Sequence, residues 1–418
     1  MTLARAFLQR EAALFCALPR NAKLLLGTST VSVFAAPVVN VFVYAFILRS
    51  TFDLNRVMAF QVALFSGIPV AFLANRFLVG GRFGFAHLYA LGLVLCGAVL
   101  AGMTLLSALT WGLIIGMGFL MGLATGLQWA NRNYLSLVCT QDRFRNYYFG
   151  VESFFLCVSG VVMPALVGAF IGARAGAEGT AAAKAAYQWV AGAVLLLSVG
   201  ASGFLLRGSF PAERPAIRVR SAFKPVWRKM LVLATLKATV QIFFTTAPAV
   251  LIMRVLGGQE NALGYVQSAG AVLAAVLSYV IGRSTRPEHR VAVLAAALFL
   301  YGSGAVVNAV LFDRFSVLVL MACQIVAQPL LDATYNPILL GALDAVADGG
   351  SESRYAYIVS HEIGIFAGRV IGSAAFIALA CADSGDDAFR YVLALMALVH
   401  LFCWPVAASI RRDLGWRA

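Results

Sequence analysis

The sequence predicts an all-α integral membrane protein, with twelve transmembrane helices in two six-helix bundles related by pseudo-symmetry. Hydrophobic residues fill 61% of the 418 positions and charged residues only 12%, whereas soluble domains carry about 25% charged residues. Apolar runs of about 20 residues, the length that crosses the hydrocarbon core of a bilayer, recur along the whole chain. Because the runs lack the two-residue alternation of a β-barrel strand, we expect helices.

Twelve segments meet this criterion of length and composition, and we number them spans 1 to 12. Most charged residues fall in the short connections between them, which is typical of a polytopic membrane protein. The expected boundaries are 24–48, 57–79, 84–106, 109–130, 147–173, 187–206, 230–253, 261–282, 290–311, 315–341, 355–381 and 390–410.

The basic residues predict which side of the membrane each connection faces. Cytoplasmic connections carry an excess of Lys and Arg. With the N-terminus placed in the cytoplasm, that side receives 23 of the 32 Lys and Arg residues and the opposite side receives seven. We therefore expect a protein of the cytoplasmic (inner) membrane with both termini in the cytoplasm. The connection 342–354, which is mainly acidic, departs from this pattern.

Segment 207–229 divides the chain between spans 6 and 7. It is the longest polar stretch, it is strongly basic, and it contains Pro211, Pro215 and Pro225. The predicted organisation is therefore an N-terminal six-helix bundle, a basic cytoplasmic linker and a C-terminal six-helix bundle. Their boundaries are 1–206, 207–229 and 230–418.

The two halves also contain similar sequences at equivalent places. In the first half, 128–134 ends one span and the Arg-Asn-Tyr-Tyr sequence of 145–148 opens the next. In the second half, 332–337 ends the corresponding span and the Arg-Tyr-Ala-Tyr sequence of 354–357 opens the next. Repeated halves around a site at the membrane midplane are typical of secondary transporters.

Twelve spans, two halves, cytoplasmic termini and a basic linker resemble the major facilitator superfamily over essentially the whole chain. The family's Gly-x-x-x-Asp-Arg-x-Gly-Arg-Arg signature between spans 2 and 3 is reduced here to Ala71-Phe-Leu-Ala-Asn75-Arg76-Phe-Leu-Val-Gly80-Gly81-Arg82, with Asn75 in place of the acidic residue. The resemblance implies transport by alternating access, with a gate on the cytoplasmic side. The residues that we expect in this gate are Asn75, Arg76, Arg82, Arg132, Arg143, Arg145 and Arg354.

Three carboxylates inside spans are predicted to carry the coupled proton. An ionisable residue within a span costs about 2.5–3.5 kcal/mol on insertion scales, so each one indicates a possible function. Glu152 is either a proton carrier or a structural partner of the arginines at the gate. Asp332 is either a proton carrier or a partner of Lys237 or Arg369. Glu362 lies in span 11, at the point equivalent to Glu152.

Nine polar residues inside the spans are predicted to contact a solute. Span 10 carries a polar stripe at four-residue steps, and spans 7 and 11 each carry a cation within the bilayer. Every one has a structural alternative, because buried cations pair with carboxylates and polar side chains also join helices to each other. The nine residues are Asn40, Tyr44, Gln128, Lys237, Gln241, Gln328, Asn336, His361 and Arg369.

The sequence predicts a secondary active transporter that is coupled to protons and is not an enzyme. It contains no ATP-binding loop, dinucleotide signature or metal-ligand cluster, so no cofactor or metal is expected. Cations inside the spans favour an anionic or zwitterionic solute, such as an organic acid, a peptide or a siderophore. A multidrug efflux antiporter and a lipid flippase are the alternatives. The expected partners are the solute, the proton and membrane lipid, without nucleic acid, and a monomer is expected.

Overall fold

The computed structural model describes residues 9, 12–79, 83–140, 142–210, 223–255, 259–284, 287–346, 351–382 and 385–415. The regular elements in these ranges are helical. Their bounds are Arg20–Pro37, a π-helical turn Val38–Phe42, Val43–Thr51, Leu54–Leu78, Phe85–Leu105, Trp111–Cys139, Asp142–Leu205, Pro225–Val255, Glu260–Ser284, a short 3-10 turn Pro287–His289, Arg290–Leu311, Arg314–Val346, Ser351–Ala382, Gly385–His400 and Cys403–Asp413.

Twelve segments of these helices are long and apolar enough to cross a membrane, and they match the predicted spans one to one. The sequence-based count of twelve is thereby confirmed, and the chain is an integral membrane protein. The observed spans are Arg20–Thr51, Leu54–Asn75, Phe85–Leu105, Trp111–Ser136, Tyr147–Ala175, Ala181–Leu205, Pro225–Val255, Glu260–Ser278, Arg290–Leu311, Arg314–Val346, Val359–Cys381 and Asp387–Asp413.

Spans 5 and 6 differ from the prediction in their connection. We expected a loop between 173 and 187, but helical structure is continuous from Asp142 to Leu205. The connecting sequence Ala173-Arg-Ala-Gly-Ala-Glu-Gly-Thr-Ala-Ala-Ala-Lys-Ala-Ala186 is rich in alanine, the residue with the highest helix propensity. Polarity marked this segment as a loop, whereas its local propensity favours a helix.

Two other spans are interrupted within the membrane. In span 1 the α-helix gives way after Pro37 to a π-helical turn over Val38–Phe42. Such turns are frequent at functional sites, and this one contains Asn40. In span 12 the helix stops at His400 and resumes at Cys403.

Helices pack most closely where glycines allow their backbones to approach. In the N-terminal half (spans 1–6), a Cβ at Gly122 of span 4 would lie 1.9 Å from the carbonyl oxygen of Leu64 in span 2. In the C-terminal half (spans 7–12), a Cβ at Gly368 of span 11 would lie 2.0 Å from the carbonyl oxygen of Thr235 in span 7.

The two halves meet in the same way along spans 5 and 8. A Cβ at Gly264 of span 8 would lie 2.2 Å from the carbonyl oxygen of Pro164 in span 5. A Cβ at Gly168 of span 5 would lie 2.5 Å from the carbonyl oxygen of Glu260. The all-α fold of twelve spans is thus confirmed, while the boundaries at 206 and 229 stay a prediction. Span 7 begins at Pro225, inside the predicted linker.

Candidate functional site

A central cavity of about 510 Å³ lies between the two halves. Its wall is formed by spans 1 and 5 from the N-terminal half and by spans 7, 8 and 10 from the C-terminal half. Most of the lining is apolar. The polar side chains in the wall are Asn40, Ser159, Gln267, Ser278, Gln324, Gln328 and Asp332.

The carboxylate of Asp332 is the acidic group in this wall, and it forms an ion pair with Lys237. The Lys237 Nζ donates a hydrogen bond of 3.1 Å to Asp332 Oδ1. The side chain of Asp332 is 48% exposed, whereas that of Lys237 is only 19% exposed. Lys237 also lies 4.0 Å from the ring centroid of Tyr335, within cation–π range. Of the partners considered for Asp332, the structure selects Lys237.

Three of the four residues in the polar stripe of span 10 face the cavity. Gln324, Gln328 and Asp332 contribute to the wall, and Gln324 Nε2 also donates a 2.8 Å hydrogen bond to the carbonyl oxygen of Phe244. Asn336 is exposed and lies outside the set of residues that line this cavity. The expected inward-facing stripe therefore ends one turn earlier than its four-residue spacing suggested.

Arg369 lies at the junction between the halves, next to Phe65 of span 2. Its guanidinium is 4.2 Å from the centroid of that ring, and its Nη2 donates a 3.2 Å hydrogen bond to Gln241 Oε1. The Nε atom is buried without a hydrogen-bond partner. No described carboxylate forms a salt bridge with it, although Glu362 and the phenol of Tyr44 are near enough to interact electrostatically. Arg369 is thus a largely buried cation whose charge is only partly compensated.

His361 and Glu362 are neighbours in sequence that face different surroundings. His361 is buried, and its Nε2 lies 2.6 Å from the hydroxyl oxygen of Tyr335 in span 10. The side chain of Glu362 is 33% exposed, with Oε1 3.8 Å from His361 Nδ1. Tyr335 therefore connects His361 to the Lys237–Asp332 pair.

A second polar cavity, of about 420 Å³, lies within the N-terminal half and contains Glu152. It shares Val33, Ala36, Asn40 and Leu156 with the central cavity. Glu152 is buried and forms a two-point ion pair with Arg132, whose Nε is 3.0 Å from Glu152 Oε1 and whose Nη2 contacts Oε2. The two cavities are therefore adjacent, and each of them has a carboxylate of one ion pair in its wall.

Gln128 and Tyr44 take part in contacts between helices. Gln128 lines the cavity of the N-terminal half, donates to the carbonyl oxygen of Gly92 at 3.0 Å and accepts from Ser32 Oγ at 3.3 Å. Tyr44 is buried and packs edge-on against Phe60, with ring centroids 6.3 Å apart. Asn40 is the member of this group that is exposed to both cavities.

The predicted gate residues are described only in part. Asn75 is buried, and its Oδ1 accepts a 2.8 Å hydrogen bond from Asn131 Nδ2, which joins spans 2 and 4. Arg132 forms the ion pair with Glu152 that is described above. Arg82 and the side chains of Arg76, Arg143, Arg145 and Arg354 lie outside the described part of the chain.

The halves are joined by polar contacts at the end of the bundle where span 1 finishes and span 8 begins. We call it the closed end. Arg49 of span 1 forms an ion pair with the buried Glu260 of span 8. Gln61 Nε2 donates to the carbonyl oxygen of Ile242 at 3.0 Å and to Thr245 Oγ1 at 2.7 Å.

These closed-end residues were missed by the sequence reasoning. Arg49 and Glu260 stand at span ends, where charges usually reach water, and their 211-residue separation gave no hint of pairing. The one available signal was Gln61, an uncharged but strongly polar residue well inside span 2.

No family model and no curated protein matches the sequence. Solved structures match over nearly the whole chain. A POT family transporter in complex with 5-aminolevulinic acid has a TM-score of 0.66 at 12% identity, covering 94% of this chain and 97% of that one. A bacterial homologue of the human lysosomal transporter Spinster, inward-facing and unoccupied, has a TM-score of 0.61 at 15% identity, covering 94% and 96%. FucP, a major facilitator superfamily transporter in the outward conformation, has a TM-score of 0.56 at 12% identity, covering 92% and 98%.

The fold places the chain in the architectural class of polytopic all-α membrane proteins with twelve spans in two halves. More specifically, it has the fold of the major facilitator superfamily, which confirms the resemblance drawn from the sequence at the level of fold.

Proposed function

We propose that this protein is a proton-coupled secondary transporter that moves a small anionic or zwitterionic solute by alternating access. The main support for the proposal is Asp332, whose carboxylate lies in the wall of a cavity between two six-span halves and forms an ion pair with Lys237. Charges are rarely placed inside a membrane protein unless they bind ions or substrates. The neighbours of similar fold are transporters, one of them with 5-aminolevulinic acid bound, which supports the same function here.

The proposed coupling uses competition for Lys237. While Asp332 is ionised, it neutralises the lysine and leaves no charge for an incoming anion. Protonation of Asp332 frees the ammonium of Lys237, which then binds the acidic group of the solute. Because the half-exposed carboxylate is open to the cavity, protons reach it from the side to which the cavity opens. Glu152 and Glu362 are the further candidates for a coupled proton.

The proposed solute class follows from two cations inside the spans, Arg369 and Lys237, the second of which pairs with Asp332 in the cavity wall. Arg369 is largely buried without a salt bridge from a described carboxylate, so an acidic group of the solute is a suitable partner for it. The amine of a zwitterion is a suitable partner for Asp332. A hydrophobic cation, as in multidrug efflux, would be repelled by the like charges of Lys237 and Arg369.

The proposed orientation places both termini in the cytoplasm of a cell with an inner membrane. The closed end then faces outward, because span 1 starts in the cytoplasm and finishes at Arg49. The described contacts between the halves at that end, Arg49 with Glu260 and Gln61 with Ile242, support an inward-facing state. The protein is proposed to work as a monomer in contact with membrane lipid.

The test is uptake by proteoliposomes under an imposed pH gradient, with solutes selected by a thermal-shift screen. Ligands that bind the folded state raise its apparent stability, so the screen can detect a solute of any chemical class. We expect an inward proton gradient to drive uptake, and Asp332→Asn to abolish the dependence on the gradient.

The matched control for this test is Asp344→Asn, which changes an exposed carboxylate near the end of the same helix. It should transport like the wild type. Uptake that ignores the gradient, and that survives neutralisation of Asp332, Glu152 and Glu362 together, would reject proton coupling.

A further inference from the structure

A third cavity, of about 650 Å³, lies at the closed end and shares no lining residue with the central cavity. We call it the basic cavity, because Arg49, Lys184 and Arg254 line it and no acidic residue belongs to its described lining. The remaining wall is mainly apolar and includes Phe46, Leu106, Leu109 and Met253. Positive charge beside apolar surface is suited to an anion that carries an apolar body.

The cations of the basic cavity are oriented by backbone carbonyl oxygens and, for Arg49, by the ion pair with Glu260. Lys184 Nζ donates to the carbonyl oxygen of Leu106 at 2.7 Å, and Arg254 Nη2 donates to the carbonyl oxygen of Phe52 at 3.0 Å. The carbonyl group of Leu106 orients the ammonium of Lys184 but does not neutralise it. The ammonium of Lys184 therefore keeps two further donors for a ligand.

One buried donor of a cavity-lining residue makes no described hydrogen bond. The Nε of Arg49 is buried without a partner of acceptable geometry, although Nη1 of the same guanidinium pairs with Glu260. Tyr187 also lines the basic cavity, is only 4% exposed, and has the carboxylate of Glu260 beside its hydroxyl. Buried donors without acceptors are uncommon in folded proteins, so the Nε of Arg49 is available to an acceptor on a ligand.

We infer that the basic cavity is a binding site for an anionic, partly apolar solute, whose acidic group bonds to Lys184 and Arg49. This inference rests on the proposed function, because it places the transported solute at the closed end before that end opens. An acid bound there competes with Glu260 for Arg49. Since Arg49 and Glu260 belong to opposite halves, binding also weakens their ion pair and favours opening.

The inference predicts opposite effects for two substitutions. Lys184→Gln removes a charge that binds the anion, so affinity should fall by about tenfold, the usual range for one charge-assisted hydrogen bond. Glu260→Gln removes the competitor for Arg49, so affinity should rise by about the same factor. Arg314→Gln is the matched control, because Arg314 is an exposed arginine at the same end outside the cavity lining.

The experiment is calorimetric titration of the purified full chain in nanodiscs of phosphatidylcholine. Octanoate is the probe, and octylammonium is the probe of opposite charge. We expect octanoate to bind and octylammonium not to bind, with the two shifts in affinity given above. Each variant's thermal midpoint without octanoate is measured first. If Glu260→Gln fails to fold, the double variant Arg49→Gln with Glu260→Gln replaces it, and it should bind octanoate more weakly than the wild type.

A further arm replaces part of the lipid with phosphatidylglycerol. Loss of octanoate binding there supports the site and identifies the acidic group of a lipid as a competing occupant. Unchanged octanoate binding there supports a free solute as the occupant. Equal octanoate affinity in the wild type and Lys184→Gln, or weaker affinity in Glu260→Gln, overturns the inference. These results do not depend on a pH gradient, so they are distinguishable from a failure of proton coupling.

Discussion

At the scale of single residues, the described spans contain few charges, and three ion pairs neutralise six of them. Glu152 contacts Arg132, Asp332 contacts Lys237, and Glu260 contacts Arg49. Arg369 differs, because a glutamine and an aromatic ring are its described partners. A charge removed from water without an opposite charge is costly, which makes Arg369 the residue most in need of a ligand.

Arg369→Gln should therefore lose affinity for an anionic solute while the fold becomes no less stable. Removing a buried, partly compensated charge relieves its desolvation cost, whereas removing the anchor weakens solute binding by about 1.5–3 kcal/mol. The measurements are the thermal midpoint with and without the solute and the KM of uptake. Arg369→Lys tests whether charge alone is sufficient, since lysine lacks the planar fork of donors. An unchanged KM in both variants would show that Arg369 does not contact the solute.

The sequence alone identifies the charged residues inside the spans, but it does not identify all of their partners. Lys237, Asp332 and Arg369 stand out because charges are rare in apolar runs, and their positions inside spans were predicted correctly. The pairing of Lys237 with Asp332 was one of several alternatives, since a linear sequence does not specify which helices are neighbours. Arg49 with Glu260, and Gln61 with Ile242, were missed because their pairing depends on how the two halves pack.

At the scale of helices, spans 5 and 8 make a close backbone contact between the halves. It depends on Gly264, where a Cβ would lie 2.2 Å from the carbonyl oxygen of Pro164. Small residues let helix backbones approach in membranes, where no hydrophobic force drives helices together. The same contact lies near the closed end, next to Glu260.

Gly264→Ala should separate spans 5 and 8 and destabilise the state in which the closed end is shut. Overpacking of this kind typically costs about 1–3 kcal/mol, so we expect a lower thermal midpoint in detergent. Gly302→Ala is the control, because a Cβ added there meets nothing within 4 Å. Its midpoint should stay the same or rise slightly. Equal midpoints for the two variants would contradict the packing described here.

The start of span 10 offers a prediction about pH. The Ser316 backbone N–H donates to Asp313 Oδ1 at 2.8 Å, and the Asp313 N–H donates to Ser316 Oγ at 2.9 Å. The hydrogen bond from the Ser316 backbone lowers the pKa of the exposed Asp313 carboxyl. A lowered folded-state pKa gives stability that is present at neutral pH and is lost as the pH falls below about 4.

Asp313→Ala should consequently lower the thermal midpoint at pH 7, and its difference from the wild type should shrink in acid. Asp313→Asn is the control, because asparagine also caps helices but carries no charge. It should remain close to the wild type at pH 7 and show no contribution from this site to the pH dependence. A deficit of Asp313→Ala that is constant from pH 7 to pH 3 would contradict a role for the ionised cap.

The helices themselves were the most predictable part of the molecule. All twelve spans follow from the length and hydropathy of the apolar runs, because the bilayer imposes both. Deviations occur where another property decides the local structure. Alanine-rich sequence makes the connection from 174 to 186 helical, and Pro37 precedes the π-helical turn that contains Asn40.

At the scale of the whole molecule, two six-span halves enclose a cavity and are held together at one end. Asp332 and Glu152 lie in the walls of two adjacent cavities, and the contacts of Arg49 with Glu260 and Gln61 with Ile242 join the halves at the closed end. For such an arrangement to transport a solute, the closed end must open while the opposite end closes. A transport cycle therefore requires a reciprocal movement of the two halves.

Spin-label distances in lipid nanodiscs test this movement most directly. One pair is placed at the closed end, on Ser50 and Gln259, and another at the opposite end, on Val138 and Asp344, all four of them exposed. In the wild type we expect a short distance at the closed end and a long one at the other. Glu260→Gln, which releases Arg49, should add a population in which the first distance is longer and the second is shorter. Distances that stay the same in both proteins, or that lengthen together at both ends, would contradict alternating access.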